Sequence, residues 1–464
     1  MQKNQSSDAN AFLGTAPVGG LLFKLALPAV AAQLINMLYN IVDRIYIGHI
    51  PEVGALALTG VGVCLPIIMV ISAFAALISM GGAPRASIFM GKGDDAEAER
   101  ILGNSFTLQV LLSVVLTVLL LVFNRPLLLS FGASDNTIDY AVRYMGIYAL
   151  GTIFVQLTLG MNAFITAQGF AKTGMLTVLI GAIFNIILDP IFIFVFDMGV
   201  QGAALATIIS QAVSAIWCLS FLCGKKTVLH LRKSNFGLSP RVILPCMALG
   251  LAPFIMQASE SVIQVCFNAS LLHYGGDVAV GAMTILTSVM QFAMLPLQGL
   301  AQGAQPISSY NFGAGNAPRV KRTFWLLLWA SLVYAAILWL AILLFPQVFA
   351  SIFTADAQLI AFTTWALRIY GAAMVLMGAQ IACQMTFISL GNAIASIIVA
   401  IMRKFILLIP LIYILPQYIA NQTLAVYLAE PVADTLAVAF TVVLFTFQFK
   451  KALRGMAGPQ PDTV

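Results

Sequence analysis

The chain has 464 residues, of which 61% are hydrophobic and only 9% are charged. Soluble domains carry roughly 25% charged residues, so this composition excludes a soluble enzyme, a nucleic-acid binder and a disordered scaffold. The net charge of +6 comes from basic residues that fall mostly in short loops, which indicates membrane topology rather than nucleic-acid binding. The sequence predicts an all-α integral membrane protein whose main partner is the lipid bilayer.

Twelve apolar segments, numbered here as spans 1 to 12, are long enough to cross a bilayer, which takes about 20 residues each. They lie at 21–47, 55–81, 101–123, 138–160, 173–196, 200–223, 242–272, 278–303, 323–345, 358–382, 394–415 and 425–448. Residues 1–20 form a polar N-terminal segment, 224–241 a basic linker and 449–464 a tail. The spans on either side of the linker predict a six-helix N-lobe (21–223) and a six-helix C-lobe (242–448).

The distribution of lysine and arginine predicts the orientation. With the N-terminus inside, 19 of the 23 basic residues lie on the cytoplasmic side, Arg403 and Lys404 among them. The exceptions are Arg44, Arg125, Arg143 and Arg368. Because cytoplasmic loops are enriched in basic residues, we expect both termini in the cytoplasm. In a bacterial host this places the protein in the inner membrane, and we expect a monomer.

Two loop regions repeat at a fixed offset of 222 residues. Gly81, Pro84, Ser87, Gly91, Gly93 and Arg100 recur as Gly303, Pro306, Ser309, Gly313, Gly315 and Arg322. Each region leaves the second span of its lobe and enters the third. A repeat of six spans starts both lobes on the same side, which is a plan that recurs in transporters and encloses a cavity near the membrane midplane. The alternative is convergent loop composition.

Ionisable groups inside spans are costly and usually functional. In span 1, polar residues lie within about 80° of arc; they are Gln33, Asn36, Asn40 and Asp43. Asn185 and Asp189 share one face of span 5, and Thr207 begins a polar stripe on span 6. Asp43, Asp189 and Thr207 lie at similar depth, so we predict a site for a hard cation such as Na⁺, or for a proton. The alternative is a network of hydrogen bonds between helices.

Glu260 lies near the middle of span 7, on a face that it shares with Gln257 and Gln264, and span 8 carries Gln291 on a similar stripe. These residues are candidates for a substrate cavity or a second coupling site, since a buried carboxylate attracts cations or exchanges protons. The alternative is a neutral glutamic acid that fixes packing. These central stripes hold no lysine or arginine, and Glu430 and Asp434 are interpreted as interfacial.

Several motifs in this order resemble the multidrug and toxic compound extrusion (MATE) family over essentially the whole chain. They are YNIVDRIYIG in span 1, MGKGDDAEAER after span 2, FNIILDPIFIF in span 5, GVQGAALATIISQ in span 6, LAPFIMQASES in span 7, FGAGNAPRVKR after span 8 and AEPVAD in span 12. The resemblance implies an alternating-access exporter that exchanges Na⁺ or H⁺ for amphipathic, often cationic organic compounds.

The resemblance also assigns roles to individual residues. Asp43, Asn185, Asp189 and Thr207 match the family's N-lobe cation or proton site, and Glu260 matches an acidic residue of another branch. The tenth-span acid of that branch has no match between residues 370 and 383, which favours the N-lobe site over a C-lobe ion site.

Three competing functions remain open from the sequence. A lipid-linked oligosaccharide flippase of related two-lobe plan would need a cationic central cavity. A membrane-embedded enzyme would need a nucleophile–base pair or metal ligands within the spans, and a channel would not move a substrate against its gradient. No GxxxxGK[ST] motif occurs, so we expect no ATP drive and no cofactor other than the coupling ion.

Overall fold

In the computed structural model, which describes residues 11–456, the chain forms a bundle of long helices. Nine of the helices within this range are long and apolar enough to cross a membrane, and two bent helix pairs qualify as well. One of the nine, Pro240–Gly313, is 74 residues long and contains two spans. Residues 11–456 therefore contain the twelve predicted spans.

The first six spans are Val18–Gly48, Gly54–Gly91, Asp95–Val122, the bent pair Ile138–Leu150 and Thr152–Ala167, Ala171–Val195, and Gly199–Leu222. The last six are the two arms of Pro240–Gly313, Ala317–Leu344, the bent pair Ala357–Tyr370 and Met374–Ser389, Ala393–Tyr418, and Gln422–Met456. The short elements are Ala11–Thr15, Asn124–Ser130, Lys233–Asn235 and Pro346–Ser351.

Spans 7 and 8 meet at Gly276, where the backbone has φ 67° and ψ −166°. Only glycine adopts such angles readily, and this single residue replaces the loop predicted between residues 272 and 278. Spans 2 and 8 run about ten residues beyond their predicted ends, to Gly91 and Gly313. The extensions form because their small residues are buried against the other lobe rather than in lipid.

The two lobes contain the same internal contacts at the predicted offset. The Ser87 hydroxyl donates to the Ala167 carbonyl at 3.3 Å, and the Ser309 hydroxyl donates to the Ser389 carbonyl at 2.9 Å. Asp94 and Asn316 cap the N-termini of spans 3 and 9 in the same way. Spans 4 and 10 also bend at matching places, by 55° and 49°. Repeated contacts of this kind show that the sequence repeat is a structural repeat.

The lobes meet at the end of the bundle that carries residues 224–239, called the linker end below. Within residues 11–456, six glycines there lie so close to the other lobe that an added Cβ would crowd or overlap its backbone. The pairs are Gly81 with Cys246, Gly250 with Leu77, Gly91 with Tyr310, Gly313 with Ile88, Gly299 with Val30, and Gly303 with Ala26. In lipid, small residues allow this close approach of helices. Gly91–Tyr310 and Gly313–Ile88 are the same contact seen from the two lobes.

Two polypeptide segments cover the linker end. Arg319 donates to the carbonyl groups of Leu13 and Ala16 at 3.0 and 2.8 Å, which ties the N-terminal helix Ala11–Thr15 to span 9. The side-chain oxygen of Gln168 accepts three hydrogen bonds from the linker, between 2.8 and 2.9 Å. Both segments are therefore anchored by specific hydrogen bonds rather than by apolar packing alone.

Candidate functional site

The predicted N-lobe residues come from three helices. Span 1 supplies Asp43, span 5 supplies Asn185 and Asp189, and span 6 supplies Thr207. Residues four apart lie on one helix face, so Asn185 and Asp189 point the same way. The structure brings all four side chains together, and this group is called the N-lobe site below.

The N-lobe site is a buried set of oxygens with incomplete hydrogen bonding. The Asn185 amide donates to Asp189 Oδ1 at 3.2 Å and to Thr207 Oγ1 at 3.4 Å. The carboxyl groups of Asp43 and Asp189 lie within hydrogen-bonding range of each other, and Asp189 is fully buried. Two carboxylates this close in a buried place need a shared proton or a cation between them.

Three oxygens of this site have no hydrogen-bond partner although they are buried: one each from Asp43, Asn185 and Asp189. Buried polar atoms are nearly always paired in folded proteins, so each such atom requires an explanation. Carboxylate and amide oxygens are ligands that hard cations prefer. The set of atoms is thus suited to a proton or an alkali cation.

Sequence reasoning missed two tyrosines beside this site. Tyr144 of span 4 forms a hydrogen bond with Thr207, and Tyr39 of span 1 forms hydrogen bonds with Asn40 and Gln211. The only sequence signal was position, because Tyr39 precedes the polar stripe residue Asn40. These phenols fix the orientation of side chains around the carboxyl groups.

The predicted cavity residues lie beyond the contact between the lobes, toward the end opposite the linker. Gln33 is the nearest of them to that contact, and its amide donates across the lobes to Gln302 at 3.3 Å. Gln257 is half-buried. The exposed members are Asn36, Asn40, Glu260, Gln264 and Gln291. Exposed polar side chains on both lobes, above a closed linker end, are the arrangement of a cleft that opens at the opposite end.

The structure corrects the interpretation of four charged residues in the C-lobe. Arg403 and Lys404 do not lie in a loop, because they are buried in a π-helical turn in the middle of span 11. Glu430 and Asp434 are not interfacial, because both are buried and paired with Arg403. With Glu260, these residues form what is called the C-lobe charge cluster below.

Hydrogen bonds hold this cluster together. Arg403 donates from Nε to Asp434 at 2.7 Å and from Nη2 to Glu430 at 3.3 Å. Lys404 donates from Nζ to Glu260 at 2.6 Å. The physical reason for the placement is that each buried cation has a carboxylate partner, which offsets the cost of its desolvation.

Two inferences from the sequence change as a result. The number of basic residues assigned to the cytoplasmic side falls from 19 to 17. The absence of lysine from the central stripes also fails as an argument against a flippase, because Lys404 reaches Glu260. A different argument replaces it: both buried cations are already paired with carboxylates and are not free to hold a pyrophosphate.

Comparisons with known proteins agree with this architecture. The family model described as MatE matches residues 28–191 and again 253–414, one copy in each lobe. The chain is 27% identical over 360 residues to the multidrug export protein MepA of Staphylococcus haemolyticus, covering 77% of this chain and 78% of that one. It is 25% identical over 403 residues to MepA of Staphylococcus aureus strain N315, covering 86% and 88%.

Solved structures show the same fold. The MATE multidrug transporter DinF-BH superposes with a TM-score of 0.87 at 33% identity, over 95% of this chain and 98% of that one. A multidrug resistance MATE family transporter in its outward-facing conformation superposes with a TM-score of 0.89 at 22% identity, over 96% and 98%.

Proposed function

The chain belongs to the MatE family of membrane transporters, and from this premise we propose that it is a secondary antiporter for organic compounds. It exports amphipathic, often cationic molecules in exchange for Na⁺ or H⁺ by alternating access. The observation that carries the proposal is the N-lobe site, where two carboxyl groups in contact leave three buried oxygens without partners. The MepA relatives, named as multidrug export proteins, support the choice of cargo.

The closed linker end supports the direction of exchange. We propose that the linker end and both termini face the cytoplasm, and that a bacterial host carries the protein in its inner membrane as a monomer. The cleft of this structure then opens to the outside. In this state Na⁺ or H⁺ enters from outside and reaches Asp43 and Asp189, while cargo leaves by the same opening.

Binding of the ion drives the cycle through charge. A proton or Na⁺ at the N-lobe site removes the repulsion between Asp43 and Asp189 and lets spans 1 and 5 pack more closely. A ligand shifts a conformational equilibrium only through its different affinities for the two states. The ion must therefore favour the state that has lost affinity for cargo. Asn185 and Thr207 position the two carboxyl groups for this step.

Proteoliposomes loaded with a fluorescent organic cation test the proposal. A Na⁺ gradient and a pH gradient are imposed separately on the native protein, Asp43→Asn and Asp189→Asn. We expect efflux under one gradient, at least tenfold slower in both variants because each loses an ionisable ligand. Asp139→Asn is the matched control, because Asp139 is exposed and pairs only with the exposed Arg125.

Two results would overturn parts of this proposal. Efflux that persists in a well-expressed Asp189→Asn and Asp43→Asn would show that the N-lobe site does not couple transport. No efflux under either gradient, from protein shown to be folded, would exclude the antiporter and make a lipid-linked substrate the next candidate.

A further inference from the structure

The C-lobe charge cluster has one negative charge in excess when all of its groups are ionised. It contains three carboxylates and two cations within hydrogen-bonding or close electrostatic range. Four of the five side chains are between 4% and 11% exposed, whereas the side chain of Glu260 is 53% exposed. The cluster is therefore sealed on all sides except at the carboxylate that faces the cleft.

The position of Glu430 determines what happens when Glu260 is taken by another partner. Glu430 lies in electrostatic range of Lys404 as well as Arg403 and Asp434. Lys404 can therefore release Glu260 to an incoming cation and still face an uncompensated carboxylate. Without that reserve the ammonium group would be left buried and unpaired, which is strongly unfavourable.

A proton on the cluster removes the reserve. When one proton is held by the Glu430–Asp434 pair, the cluster is neutral with Lys404 bound to Glu260. The other titratable group that faces the pair is the buried phenol of Tyr370 on span 10. A cation that displaces Lys404 then forces this proton out, because a buried charge imbalance is costly in either direction.

We propose that the C-lobe charge cluster binds an organic monocation at Glu260 in exchange for one proton from the Glu430–Asp434 pair. The cation and the proton never touch the same oxygen; they compete for one excess negative charge through Lys404 and Arg403. This inference rests on the proposed function and adds a second exchange site to the N-lobe site. The class of ligand is a monocation without its own carboxylate, since a zwitterion would satisfy Lys404 directly and release no proton.

The test measures equilibrium binding of tetraphenylphosphonium, a cation that has no proton to release. Full-length protein in detergent is titrated at mildly acidic and mildly alkaline pH, and proton release is followed with an indicator dye in weak buffer. We expect acid to weaken binding to the native protein, with up to one proton released per bound cation.

Two substitutions should act in opposite directions. Glu430→Gln makes the cluster neutral, so binding at alkaline pH should weaken by about tenfold and proton release from the cluster should stop. Lys404→Gln removes the competitor for Glu260, so binding should tighten by about tenfold. The double variant should return close to native affinity. A misfolded protein would lose affinity in every variant, so opposite signs exclude that explanation.

Weaker binding in both single variants, or unchanged binding and proton release in Glu430→Gln, would overturn the inference. Asp189→Asn is measured in parallel and should leave the effects of Glu430→Gln and Lys404→Gln in place. Failure of the proposed function is distinguishable from failure of this site. Charge-dependent binding without gradient-driven efflux would refute antiport alone, and efflux with charge-independent binding would refute the C-lobe site alone.

Discussion

Gly299→Ala should separate the two lobes at the linker end. Gly299 of span 8 lies against Val30 of span 1, so the substitution places a methyl group between the lobes. Gly281 is on the same long helix, but a Cβ there would meet the Leu359 side chain at an ordinary 3.5 Å. Gly281→Ala is therefore the matched control, because both substitutions raise helix propensity by about 1 kcal/mol and only one disturbs the interface.

The size of the effect follows from the distance between the two backbones. The added carbon would lie 2.6 Å from the Cα atom of Val30, whereas carbon atoms in contact lie roughly 3.5–4.0 Å apart. The helices must part by about 1 Å to accommodate it. Overpacking of this kind costs roughly 1–3 kcal/mol, which shifts an equilibrium between closed and separated lobes by about 5- to 150-fold.

Cysteine alkylation measures the shift. Cys246 is 3% exposed at the contact between the lobes, where its carbonyl meets Gly81. Cys383 is also 3% exposed but lies in the apolar core at the linker end of the C-lobe. Two backgrounds that each retain one of these thiols report on separation and on unfolding respectively. We expect faster maleimide labelling of Cys246 in Gly299→Ala, and no change of Cys383.

Unchanged labelling of Cys246 in a folded Gly299→Ala protein would refute the reasoning, because the lobes would then tolerate the methyl group without separating. Equal acceleration at Cys246 and Cys383 would also refute it, since that result indicates loss of the fold. Gly281→Ala should label like the native protein at both positions.

Two further predictions concern the segments that cover the linker end. Gln168→Leu removes the acceptor for the backbone N–H groups of Val228 and Leu229, so trypsin should cut the linker faster, whereas Gln168→Glu keeps an acceptor and should stay resistant. Arg319→Ala removes two hydrogen bonds to the N-terminal segment; charge-assisted bonds contribute roughly 1.5–3 kcal/mol each, so hydrogen exchange at residues 11–16 should accelerate while spans 3 to 6 stay protected.

The span pattern and the repeat were predictable because both depend on local sequence. Apolar length identifies a span regardless of what it packs against. The offset of 222 residues predicted that Ser87 and Ser309 would be equivalent, and the structure gives them equivalent hydrogen bonds. The meeting of Asp43 with Asp189 was predictable for the same reason, since depth and helix face can be counted along each span.

The C-lobe charge cluster was not predicted because its pairings are long-range. Arg403 and Lys404 lie in the middle of the predicted span 394–415, yet two adjacent basic residues fit the pattern of a cytoplasmic loop. Their partners are 27 to 144 residues away, a separation that no periodicity reveals. One signal was available: Glu430 and Asp434 are four apart on one helix face, the same spacing as Asn185 and Asp189.

The reciprocal glycine contacts have a consequence for the rate at which the lobes separate. Gly91 and Gly313 place backbone against backbone, with no side chain inserted into the facing helix. Such surfaces are stabilised by weak Cα–H···O contacts, and they part without any rotamer having to change. The barrier to opening at this interface then comes from rigid-body displacement of whole lobes rather than from side-chain repacking. Substitutions that add interdigitating side chains here should slow the exchange of conformations even where they leave its equilibrium unchanged.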